Sequence, residues 1–155
     1  MKKLTEQDFD GALEKEQAAI IKLSMQTLKM HYGLNPGKFR EPVRKIGYQL
    51  GSELARILLE QKKVSDVEGV IDELAQYWLR YGIGEMHWVD RGEMLLAIQF
   101  CSDCLGRGYG AGYTICPFKE GLFEAVIQSK LGKNYHVEEL ECCGTQATNC
   151  LFKIE

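Results

Sequence analysis

The apolar residues after position 83 arrive as paired short runs, and runs joined by tight turns can only lie antiparallel. Residues 84–90 and 93–101 meet around Asp90-Arg91-Gly92, which reads as a hairpin turn. Met94 to Phe100 is apolar on both parities apart from Gln99, the pattern of a strand covered on both faces. A second pair, Tyr135 to Glu141 and Leu151 to Glu155, closes around Gly144. Before and between these pairs the apolar residues recur at helical spacing. The order is three helices, two strands, one helix and two strands. It predicts an α+β fold, a helical N-terminal half packed on a small antiparallel sheet. With 155 residues the chain is sized for one domain, residues 1–155.

The helices carry their own punctuation. Phe9, Leu13, Ile20, Ile21, Met25, Leu28 and Tyr32 form a stripe that Gly33-Leu34-Asn35-Pro36-Gly37 ends. This leading segment, residues 1–40, packs either on its own domain or on a second copy, which would make a homodimer. Pro42 suits the first turn of a second helix, whose face runs from Val43 through Ile46, Leu50, Leu54 and Leu58 to about Gln61. Gly47 and Gly51 beside that face indicate close helix packing. Ser65 and Glu68 read as a capping box for a third helix that continues through Tyr77, Trp78 and Tyr81 until Gly82. A fourth begins near Pro117 and ends at Gly132.

Charge and cysteine content narrow the function classes. Lys and Arg total 19 against 22 for Asp and Glu, a net charge of −3 with no polybasic block. A protein that grips duplex phosphates would be more basic, so no direct nucleic-acid partner is expected. No apolar run approaches the ~20 residues of a membrane span. Met1-Lys2-Lys3-Leu4 runs into Thr5-Glu6-Gln7-Asp8 without a secretory leader. A cytoplasmic, reducing location is therefore expected, where the six cysteines favour metal or redox work over disulfides.

Cys101-Ser102-Asp103-Cys104 forms a thiol pair, but a redox role needs a helix just after it, and Leu105-Gly106-Arg107-Gly108-Tyr109-Gly110 does not read as one. The same glycines fail as a dinucleotide loop, because Tyr113 to Pro117 does not open a helix at the right place. A stronger constellation is Cys116, Glu139, Cys142 and Cys150. Cys142 and Cys150 flank the last hairpin connection, and Cys116 stands at the start of the fourth helix. Glu139 and Cys142, three apart on one strand, share a face only if a bulge intervenes. Three thiolates and a carboxylate suit tetrahedral zinc, with no position left for water, so the metal would be structural. The alternative is a set of small buried thiols. Cys143 should point away from Cys142. Cys101 and Cys104 compete as ligands, so a different quartet stays open.

The motifs Cys101-x-x-Cys104, Cys116-Pro-Phe-Lys-Glu-Gly121, Glu139-x-x-Cys142, Gly144 and Cys150-Leu-Phe-Lys-Ile154 resemble those of the 4-vinyl reductase domain family. The resemblance covers roughly the last third of the chain, within the motif-bearing region 84–155. It implies the fold shared with vesicle-tethering-complex subunits and haem-based nitric-oxide sensors, and an apolar pocket for a small aromatic, hydrocarbon-like or tetrapyrrole molecule. It also implies zinc as cofactor, on the Cys116, Glu139, Cys142 and Cys150 set seen in the sensor domains of phenol-responsive activators. A pocket between the third helix and the sheet would be lined by Tyr77, Trp78, Tyr81, Trp88 and Phe100, with Arg107 and Tyr109 on a covering loop. His31, His87 and His136 lack a haem-ligand context, and no nicotinamide or flavin signature supports a reductase. A sensor or carrier is the expected function. An adaptor in tetrapyrrole metabolism or complex assembly, and a metal-dependent enzyme, are the alternatives.

Overall fold

The computed structural model describes residues 36–58, 64–101, 116–143 and 147–155. The stripe over residues 5–32 and the homodimer expected of it lie outside the described residues. The first described helix, α1, spans Pro36–Leu58. It starts six residues before the expected Pro42, which sits inside it. Pro36 has the same preset backbone angle and takes the first-turn place instead, so the glycine-rich turn gives way to helix sooner than its composition suggests.

Helix α2, Val67–Arg80, is capped one residue later than the sequence suggests. Asp66 is the N-cap, accepting the Gly69 N–H at 2.8 Å, while the Ser65 hydroxyl donates to the Asp66 carboxylate. A carboxylate accepts the amide hydrogen bond and also faces the positive helix end, so it displaces the serine. The far end closes with two backbone bonds, Gly82 N–H to Leu79 and Ile83 N–H to Trp78. They require the left-handed φ of 60° that Gly82 adopts.

Strands β1 (Glu85–Asp90), β2 (Leu95–Gln99), β3 (Val137–Glu141) and β4 (Cys150–Ile154) form one antiparallel sheet in the order β1-β2-β4-β3. The expected hairpin turn is present. Asp90 accepts the Gly92 and Glu93 amides, and Met94 takes φ 52° to bring the chain back. Leu96, Ala97 and Ile98 on β2 are all buried, as a strand covered on both faces requires.

Helix α3, Pro117–Leu131, lies at the centre, packed against α1, α2 and β3. It is buried nearly all round over its first ten residues. Three glycines let it approach α1. A Cβ on Gly47 would fall 2.0 Å from the Phe118 carbonyl oxygen, one on Gly51 2.4 Å from that of Leu122, and one on Gly121 2.1 Å from that of Arg44. Charge locks the same seam, with Arg40 gripping Glu120 at 2.9 and 3.0 Å and Arg44 reaching Glu120 and Glu124. An edge-on aromatic series, Trp78 to Phe123 to Phe152, joins α2 through α3 to β4. No helix among the described residues is long and apolar enough to cross a membrane.

Candidate metal centre

The start of α3 and the inner side of β3 bring sulfur and carboxylate together. Cys116 is the N-cap of α3, and its backbone N–H donates to a Glu139 carboxylate oxygen at 2.6 Å. The expected bulge exists, since the β3–β4 register shifts between Glu139 and Glu141. It returns Cys142 to the buried side, and ligand atoms of Cys116, Glu139 and Cys142 lie within 4.8 Å of one another. All three residues are at most 2% exposed. A carboxylate so deeply buried is costly unless charge or hydrogen bonds compensate it, and a cation among these donors supplies that compensation. The group could hold a metal ion.

Cys150 falls in a second group. Its sulfur, with those of Cys101 and Cys143, forms another trio within 4.8 Å. The thiol that meets Cys150 across the hairpin mouth is that of Cys143, at 3.5 Å, rather than that of Cys142. Cys143 does point away from its neighbour, into the other trio. Cys104, Arg107 and Tyr109 lie outside the described residues.

Sequence reasoning missed two side chains that shape this end. Lys119, fully buried, donates from its ammonium to the Cys101 sulfur. Burial alone would lower its pKa, but the Cys116, Cys101 and Cys150 thiolates and the Cys101 hydrogen bond together hold it well above its ordinary value. Glu120, also fully buried, accepts the Glu139 backbone N–H at 3.1 Å while paired to Arg40, fixing the strand that carries Glu139. The signal was a Lys-Glu pair on a helix whose apolar stripe left no solvent face.

The aromatic candidates are not gathered into one pocket. Trp78 is fully buried against Phe123, and Tyr77 packs on Tyr81 with ring centroids 4.6 Å apart. The Trp88 indole donates to Asp72 at 2.9 Å, and the Arg91 guanidinium covers its ring, so it ties β1 to α2. Phe100 is 75% exposed and borders a recess with Leu79, Gly82, Gly84 and Glu85. A neighbouring groove of about 520 Å³ runs between α2 and the β1–β2 edge, lined by Ala75, Gln76, Leu79, Met86 and His87 among others.

Comparison with known proteins follows the same lines. Residues 98–155 match the model of the 4-vinyl reductase domain family. The structure resembles the phenol-responsive sensory domain of the transcription activator PoxR with phenol, at 15% identity and a TM-score of 0.64, over 89% of this chain and 73% of that one. It also resembles a vinyl-4-reductase family protein from Methanocaldococcus jannaschii, at 16% identity and a TM-score of 0.58, over 100% and 98% of the two chains. No curated protein sequence matches significantly. The chain carries a 4-vinyl reductase domain over residues 98–155, set within the fold of these two structures.

Proposed function

We propose that the protein is a small-molecule-binding sensor or carrier domain for an aromatic or otherwise apolar ligand, its sheet end held by structural zinc. The observation that carries the ligand reading is the Trp78 indole. Its N–H is buried with no hydrogen-bond acceptor among the described residues. Leaving such a donor unmet costs about 1–3 kcal/mol, which a ligand bearing an acceptor oxygen would recover. Tyr77 and Tyr81 flank it on α2, and Arg107 and Tyr109 belong to the segment proposed to cover it. The phenol-bound PoxR domain has the same fold and supports an aromatic ligand with one polar group.

Zinc is proposed on Cys116, Glu139, Cys142 and Cys150. Bound there it would supply a charge-neutralising crosslink between α3 and the last hairpin, with no catalytic water. The test for the ligand uses phenol as probe in calorimetry and native mass spectrometry. Wild-type protein is expected to bind it, and Trp78→Phe to weaken binding by roughly tenfold, the worth of one hydrogen bond. No binding of phenol, together with no organic mass carried through purification, would overturn the reading. The groove beside exposed Leu79 and Phe100 favours one second reading, an adaptor surface for complex assembly.

A further inference from the structure

We propose that the Cys101, Cys143 and Cys150 trio is a second metal site, for a divalent thiophilic ion, with Lys119 as its counter-charge and Cys150 as a thiolate shared with the first site. The proposal rests on the zinc reading above only through that shared residue.

The geometry is that of ligands around one ion. Two thiolates at 2.3 Å from a tetrahedral zinc stand about 3.8 Å apart. The Cys143 and Cys150 sulfurs are 3.5 Å apart, and Cys101 lies within 4.8 Å of both. Cys101 and Cys150 are at most 1% exposed, so an ion there would be shielded from water and chelators. Thiolate donors select soft or borderline ions over magnesium or calcium.

Charge points to a divalent ion. Lys119, fully buried, donates to Cys101, and an ammonium withdrawn from water needs anions beside it. Three thiolates, one ammonium and one divalent cation sum to zero, whereas a monovalent ion would leave a buried negative charge. Cys150 connects the two groups because its strand, β4, pairs with both β2, which leads into Cys101, and β3, which leads into Cys142. A bridging thiolate on β4 gives the first site its fourth donor and the second its third.

Cobalt(II) titration of the reduced, metal-stripped full chain tests this, read by thiolate-to-metal charge-transfer absorbance and by elemental analysis. About two equivalents per chain are expected for wild type, and about one for Cys101→Ser, Cys143→Ser or Cys116→Ser. Cys143 is only half-buried, so Cys143→Ser should keep the fold, which far-UV circular dichroism checks. One equivalent in wild type, unchanged in Cys101→Ser and Cys143→Ser, overturns the second site. One equivalent lost in both Cys116→Ser and Cys143→Ser means a single mixed centre and also overturns it. One equivalent kept in Cys116→Ser but lost in Cys143→Ser supports the second site and removes the first.

Discussion

Gly47 and Gly132 show that one residue type can be required for unrelated reasons. At Gly47 the backbone is ordinary helix, but the Phe118 carbonyl occupies the space of a Cβ. At Gly132 nothing lies within 4 Å of an added Cβ, and the demand is the φ of 67°. Gly47→Ala must therefore push two helices apart, at a cost of about 1–3 kcal/mol or more. In thermal melts that lowers Tm by roughly 3–10 °C, at about 2–4 °C per kcal/mol for a chain of this size. Gly132→Ala should cost about 1–2 kcal/mol, and Gly132→Asn less, because Asn tolerates the left-handed region. Equal losses at Gly132 for Ala and Asn would show that conformation is not the cause. The sequence made Gly47 legible as a packing residue, because spacing of four beside an apolar face has few other uses. Lys119 was not legible. Its partner Cys101 is 18 positions away and comes near only through the tertiary fold.

Elements were read well where the signal was local. The hairpin at Asp90-Arg91-Gly92 and the end of α2 at Gly82 depend on a few adjacent residues, and both stand where expected. Boundaries slipped where two neighbours could do the same job, as Pro36 and Pro42 at one helix start and Ser65 and Asp66 at another. The second case can be checked. Asp66→Ala should destabilise by about 1 kcal/mol, since it removes the acceptor for Gly69, while Ser65→Ala should stay within a few tenths. Chemical denaturation that ranked Ser65 above Asp66 would restore the capping box. The bulge in β3 was legible for a different reason: no regular strand places Glu139 and Cys142 on one face. The sorting of thiols around the last hairpin was not, because alternation says which way each residue points but not which neighbouring strand it meets.

For the whole molecule, the order of elements implied an antiparallel sheet under helices, and the structure has that arrangement, with α3 inserted between the sheet and α1. The aromatic pocket expected between α2 and the sheet depended on how those aromatics meet in three dimensions. The Trp78–Phe123–Phe152 packing fills much of that space with the protein's own rings. If zinc is structural, stability must depend on it across the whole domain. Chelation should lower Tm by about 5–10 °C, corresponding to ~2.7 kcal/mol for a metal present at 100 times its Kd. Cys142→Ala should show the lower Tm with or without chelator, and an unchanged melt after verified metal removal would show that the ion does not hold the fold. Finally, β4 is last of the four described strands in chain order yet lies between β2 and β3. During synthesis, β1, β2 and β3 emerge with the central seat vacant, and the sheet cannot close until Ile154 has cleared the ribosome. Cys116, Glu139 and Cys142 leave the ribosome before Cys150, so metal loading and the final folding step should coincide once β4 is out.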